Sequence, residues 1–345
     1  MEEKLRLGVA YHGNRMTSHV RADMADIARH GMNLVVHMFS YVDWTRHAGV
    51  MKEILDASEE NGLETWVDFW GLGGPPGDAS LFPAYHPEAR QIYADGTPDP
   101  VSACYNSEAY VAFAKEWIDA VHAFGGKAIF WDEPQFKKRK DADGNPTHTC
   151  FCPTCRELFR ERYGKPMPTV LTPEVEDFRV RTVTHFFEQV TDYSASLGME
   201  NIACVMLDTV EYTRELVKLP HLDDFGIDPY WNPPKHEPFD LVYDETKKVR
   251  ALTGAAGKKS HIWVQGFHIP RGHEDEMILA ADAAYEAGAR TILFWSYRGA
   301  ESNTYRSECP EAAWNAMGEA AKRVRNRWFD DYLTRKRAEK KGERK

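Results

Sequence analysis

The feature that most constrains this chain is an alternation repeated eight times. Short apolar runs rich in β-branched and aromatic residues recur, each followed by a stretch with helical periodicity. The runs are LRLGVAY (5–11), NLVVHMF (33–39), ETWVDFW (64–70), KAIFWDE (127–133), IACVMLD (202–208), DFGIDPY (224–230), HIWVQGF (261–267) and TILFWSY (291–297). Between them lie helix candidates such as VRADMADIARHG (20–31), which closes on Gly31. EDEMILAADAAYEAG (274–288) opens on acidic residues and closes on Gly288. Alternating strand and helix calls for a parallel sheet with helices outside it. Eight such units in about 300 residues predict a (β/α)8 TIM barrel. The rival, a doubly wound open sheet, usually carries a Gly-rich phosphate turn after its first strand. Here that strand runs into Tyr11-His12-Gly13-Asn14, which has no such turn.

Two connections are long. Residues 71–109 contain the Gly/Pro-rich run GLGGPPGDASLFP, and residues 134–175 contain three of the cysteines. Excursions after strands 3 and 4 of a barrel lie at its C-terminal face, where active sites are built. No repeat or low-complexity linker divides the chain. We expect one catalytic barrel over 1–330 and a basic tail over 331–345.

Composition excludes several classes of partner. No apolar run approaches the roughly 18–20 residues of a membrane helix. The N-terminus is acidic and shows no signal-like apolar stretch, so a cytoplasmic location is expected. The net charge of 43 − 53 = −10 argues against nucleic acid or an anionic membrane as partner. No organic cofactor is expected. A homo-oligomer stays open.

In a barrel the residues at the C-terminal strand ends converge, so they form an inventory for a site. They are Tyr11, His12, His37, Asp68, Trp70, Trp131, Asp132, Glu133, Asp208, Asp228, Tyr230, Trp231, Gln265, His268, Trp295, Tyr297 and Arg298. Carboxylates flanked by Trp and Tyr are what cleavage of a glycosidic bond requires. One acid protonates the leaving oxygen, a second group handles the anomeric carbon, and aromatic faces stack on the sugar. Phosphate sites would want Gly-rich turns and Lys, and acyl transfer a Ser elbow. Neither is present.

The sharpest element is Trp131-Asp132-Glu133-Pro134, an acidic pair closing an apolar strand. Such a pair is costly to bury unless it is used or paired. Glu133 is the better general acid, with Asp132 assisting. Asp208 and Asp228 are candidates for the second catalytic group, although an Asp after a strand often only caps a turn. His12, His37, Asp68, Trp70, Trp131, Tyr230, Trp231, Gln265, His268, Trp295, Tyr297 and Arg298 are assigned to substrate binding. For the two His, core hydrogen bonding is the competing role, and for Trp70 and Trp295 it is barrel filling.

Cys150, Cys152 and Cys155 form C-x-C-x2-C. Three close thiols can bind a tetrahedral Zn²⁺ but need a fourth ligand. Cys104 is available for it, with His148 in reserve, and reduced unliganded thiols are the competing reading. Cys204 and Cys309 are expected to be inert.

Residues 100–165 resemble the catalytic barrel of family 42 glycoside hydrolases, the β-galactosidases. That family carries a C-x-N-S-x-x-Y stretch before the strand with its acid/base Glu. A C-x-C-P-x-C-x-x-x-F run and an R-Y-G follow that strand. Here these read Cys104 to Tyr110, Cys150 to Phe159, and Arg162-Tyr163-Gly164. The resemblance implies that Glu133 is the general acid/base. It also implies that Cys104, Cys150, Cys152 and Cys155 hold one structural Zn²⁺ per chain. Two positions depart from the family: Asp132 stands where it has Asn, and Gln265 stands where its nucleophilic Glu ends strand 7. An adjacent Asp-Glu is similar to the pair of family 20 hexosaminidases, which use the substrate's own 2-acetamido group. Three mechanisms follow: substrate assistance by Asp132 and Glu133, an inverting reaction with Asp208 or Asp228 as base, or a degenerate barrel that only binds carbohydrate.

Overall fold

A computed structural model describes residues 4–71 and 80–342. Of the Gly/Pro-rich run, residues 72–79 lie outside the described residues. All eight apolar runs contain strands: β1 (Arg6–Tyr11), β2 (Leu34–Met38), β3 (Glu64–Asp68), β4 (Ala128–Asp132), β5 (Glu200–Val205), β6 (Asp224–Ile227), β7 (Ile262–Gln265) and β8 (Thr291–Trp295). They close into a barrel in the order β1-β8-β7-β6-β5-β4-β3-β2. This is the (β/α)8 architecture. The long helices are α1 (Thr17–Arg29), α2 (Tyr41–Glu60), α3 (Glu108–Ala123), α4 (Pro153–Tyr163), α5 (Pro173–Ser196), α6 (Pro238–Ala256), α7 (Glu276–Glu286) and α8 (Pro310–Gly342). No helix among the described residues is long and apolar enough to cross a membrane.

One expectation shifts. The fifth strand starts two residues before the apolar run and ends at Val205, so Asp208 falls in a helical turn at Leu207–Thr209. Most of the basic segment 331–345 continues α8, which runs to Gly342.

By internal contacts the chain divides into two compact units. The first comprises Met1–His37, Glu53–Thr65 and Gly226–Lys345. Within it β1 pairs in parallel with β2 and β8, and β7 pairs with β8. Gly8 sits in the middle of β1 because a Cβ there would come 2.7 Å from side-chain carbons of both Leu34 and Leu293. Asp23 and Asp26, three apart on α1 and so on one face, collect a polar cluster. Tyr11 Oη donates to Asp23 at 2.6 Å, Tyr297 Oη donates to both carboxylates at 3.2 Å, and Trp314 Nε1 donates to Asp26 at 2.9 Å.

The second unit comprises Met38–Lys52 and Trp66–Phe225. Here β3, β4 and β5 pair in parallel. Trp131 on β4 packs at ring distances of 5.1 Å from Phe69 and 5.7 Å from Phe187. Ser107 and Thr172 cap α3 and α5 through their hydroxyl oxygens. The long connections are organised by two antiparallel hairpins. One pairs Arg90–Ile92 with Pro98–Ala103, the other Lys138–Lys140 with Pro146–His148.

Candidate active site

Three carboxyl groups meet in the second unit. Asp68 ends β3 and lies opposite Phe130 of β4, where the Phe69 N–H donates to the Phe130 carbonyl at 2.9 Å. Asp132 ends β4 opposite Cys204 of β5, and the next N–H, of Glu133, donates to the Cys204 carbonyl at 3.1 Å. Asp68 is buried, and its Oδ1 has no hydrogen-bond partner. Asp132 and Glu133 are half-buried. Burial pushes the Asp68 carboxyl well above the usual carboxylate range, and the Glu133 charge adds to it. Burial raises Asp132 in the same way, followed by the charges of Asp68 and Glu133. Burial and the neighbouring charges thus both favour the protonated forms of Asp68 and Asp132. Glu133 has φ of +36°, an uncommon backbone state for a residue with a Cβ. Such strain tends to persist where the surroundings over-determine it, often at functional sites.

Residues C-terminal to Glu133 add further groups. Gln135 Nε2 donates to Glu133 Oε2 at 3.3 Å. Burial draws the Lys137 ammonium below the usual lysine range, opposed by the charges of Asp99 and Glu133.

The other candidates in this unit take different positions. Side chains alternate across a strand, so Trp131 and Asp132 point to opposite sides. Trp131 is 1% exposed, packs on rings of the helix layer, and donates its indole N–H to Asn201 at 3.0 Å. Trp70 is buried. Asp208 has a side chain 62% exposed and pairs with Lys138 at 3.4 Å. Both line an open surface groove of about 880 Å³ together with Arg162, Arg179, His185 and Arg214.

In the first unit the half-buried rings form a chain of edge contacts. His12 meets Trp295 at 5.0 Å, Trp295 meets Phe267 at 5.1 Å, and Phe267 meets Tyr230 at 5.0 Å. His268 is exposed, has φ of +50°, and packs on Tyr305 at 5.6 Å. Gln265 is 0% exposed, and both ends of its amide are engaged. Its Oε1 accepts from the Asn232 N–H at 2.8 Å, and its Nε2 donates to the Phe267 carbonyl at 3.0 Å. The amide therefore ties the segments after β6 and β7 together. His37 is buried with Nε2 on Ser58 Oγ at 2.9 Å, and burial lowers its pKa to about 3, so it is neutral. Tyr297 is held by Asp23 and Asp26, Trp231 is buried with its N–H on Glu276 at 2.7 Å, and Arg298 pairs with Glu301 at 2.6 Å. Asp228 is buried, one residue beyond β6.

The four cysteines named for zinc come together. The sulfurs of Cys104, Cys150, Cys152 and Cys155 all lie within 4.8 Å of one another, and all four residues are buried. Cys104 Sγ is 3.4 Å from Cys155 Sγ and 3.6 Å from Cys152 Sγ. Tetrahedral Zn–S bonds of about 2.3 Å would separate the sulfurs by about 3.8 Å, so the set fits the ion. Hydrogen bonding from Cys104, then from the other two thiols, holds the Cys152 sulfur far below the usual thiol range. His148, the reserve ligand, is buried outside the group and packs at a tilt against Phe151.

Sequence reasoning did not single out Gln135, which hydrogen-bonds Glu133. Its signal was its place two residues beyond Glu133, in Glu133-Pro134-Gln135.

No protein-family model and no curated protein matches the chain. Solved structures match across nearly its whole length at low identity. A GH5_18 protein from Streptomyces cattleya in complex with GlcNAc is 14% identical with a TM-score of 0.63, over 94% of this chain and 81% of that one. The endo-1,4-β-mannanase from Rhizomucor miehei is 10% identical with a TM-score of 0.63, over 94% and 96%. The D-allulose 3-epimerase from Methylomonas sp. is 14% identical with a TM-score of 0.52, over 94% and 99%. These likenesses show the (β/α)8 fold, which the glycoside hydrolases and the epimerase share. The family 42 resemblance rests on residues 100–165 alone.

Proposed function

We propose that this chain is a glycoside hydrolase that cleaves a small oligosaccharide or glycoside, with Glu133 as general acid/base and Asp132 assisting. The observation that carries this reading is the carboxyl cluster of Asp68, Asp132 and Glu133, in which burial and mutual charge raise the Asp68 and Asp132 carboxyls. In the mechanism favoured here, Glu133 protonates the departing glycosidic oxygen. The carbonyl of a 2-acetamido group on the substrate attacks the anomeric carbon, and Asp132 orients that group. Glu133 then takes the proton of the incoming water. The engaged amide of Gln265 favours this route, because that position offers no carboxylate nucleophile. The GlcNAc in the Streptomyces cattleya neighbour belongs to the same sugar class. An inverting reaction would use Asp208 or Asp228 as base. Asp208 is ion-paired and solvated, and Asp228 is buried.

Sugar contact within the first unit is assigned to the ring edges of His12, Tyr230, His268 and Trp295. The cysteine set is assigned one structural Zn²⁺. When bound, the ion would cross-link the two long excursions, which supply its ligands through Cys104 on one side and Cys150, Cys152 and Cys155 on the other.

The alternative is a barrel that binds carbohydrate without cleaving it, which the missing strand-7 carboxylate also favours. A panel of aryl glycosides that includes N-acetylhexosaminides decides between them. Turnover is expected, and Glu133→Gln should lower kcat by at least about 10²-fold. Full activity in that variant removes Glu133 from the mechanism, whereas sugar binding without turnover across the panel selects the binding protein.

A further inference from the structure

The segment that carries Glu133 is fastened at Gln135. The Tyr105 hydroxyl accepts from the Gln135 N–H at 2.8 Å and donates to its carbonyl at 3.3 Å. Gln91 Nε2 donates to the same carbonyl at 3.3 Å and to the Ala103 carbonyl at 3.0 Å. Two residues on, the Lys137 N–H donates to Thr149 Oγ1 at 2.8 Å, and Thr149 Oγ1 also bonds Gln91 Oε1. Tyr105 and Thr149 each adjoin a cysteine of the cluster, Cys104 and Cys150. Held in this way, Gln135 directs its side-chain amide at Glu133.

We propose that Gln135 is a positioning residue for Glu133, anchored to the cysteine cluster through Tyr105 and Gln91. This rests on the assignment of Glu133 as the acid/base. The chemistry suits the task. An amide offers N–H to a carboxylate, and after a half-turn about its last bond it offers C=O to a carboxylic acid. Glu133 must pass through both states in one turnover. A charged partner would favour only one of them, and an apolar one neither. Charged groups facing Glu133 include Asp68 on β3, Asp132 on β4, and Lys137, which also faces Asp99.

The test replaces Gln135 with Leu, of similar size but without hydrogen bonds, and Tyr105 with Phe, which keeps the Gln135 side chain and removes one of its two anchors. The first readout needs no substrate: the Glu133 carboxyl is titrated by ¹³C NMR in each protein. With its donor gone, the carboxylate is less stabilised, so Glu133 in Gln135→Leu should titrate at higher pH than in the wild type. Tyr105→Phe should shift it in the same direction by less. On any glycoside turned over, Gln135→Leu should lower kcat about tenfold with little change in KM, and move the alkaline limb of the kcat profile with the titration. A titration unchanged in both variants overturns the proposal, and Tyr105→Phe decides alone if Gln135→Leu does not fold. Shifted titrations beside a fully active Glu133→Gln would instead uphold the Gln135 contact and remove the acid/base assignment.

Discussion

At the scale of single residues, position in a strand decides what a side chain can do. Trp131 and Asp132 are neighbours in sequence, yet one packs in the helix layer and the other joins the carboxyl cluster. Asp68 carries a consequence for stability. Its folded pKa lies above the ordinary value of 3.8. The folded protein therefore binds a proton that the unfolded chain releases, and the associated stability is present below pH 3.8 and lost as pH rises through the folded pKa. Asp132 acts in the same direction. Asp68→Asn should flatten this decline, so its melting temperature should gain on the wild type as pH is raised from 4 toward 7. Parallel melting curves over that range would show that Asp68 is ionised in the folded state.

At the scale of elements, β1 and the cysteine-bearing excursions make separate predictions. A Cβ at Gly8 would overlap Leu34 and Leu293 from the two strands flanking β1. Gly8→Val should therefore cost about 1–3 kcal/mol in urea unfolding, the usual penalty of overpacking. An unchanged midpoint would mean that these leucines move aside. The two excursions meet at the cysteine cluster. Protein purified without added zinc should contain about one Zn²⁺ per chain. The double variant Cys150→Ser/Cys155→Ser should lose the ion and exchange backbone amides faster in 90–105 and 133–163 than in β1. Metal-free wild-type protein with full protection there would leave the cluster as four packed thiols.

At the scale of the whole molecule, the barrel was legible because its signal is repeated. Eight apolar runs, each with helical periodicity after it, admit few architectures, and all eight contain strands. Strand limits were less legible, since apolar character continues past the last ladder hydrogen bond. Asp208 looked like a strand end for that reason, but it lies in a turn and is ion-paired to Lys138. The spacing of Cys150, Cys152 and Cys155 suggested a shared site, while the approach of Cys104 needed the folded excursions. Substrate choice also belongs to this scale. If Asp132 orients a 2-acetamido group, an aryl N-acetylhexosaminide should be cleaved and its 2-hydroxy counterpart should be cleaved at least about 10²-fold more slowly. Equal rates on the two would remove substrate assistance.

The order of residues alone determined the architecture and the adjacency of Asp132 and Glu133, because periodicity and neighbour relations are properties of the chain. Tertiary structure decided which distant groups share an environment. It set Asp68 among the carboxyls, engaged both ends of the Gln265 amide, and placed Gln135 between the cysteine cluster and Glu133. Burial and long-range hydrogen bonding exist only when separate segments pack, and no local pattern in a sequence records which segments will do so.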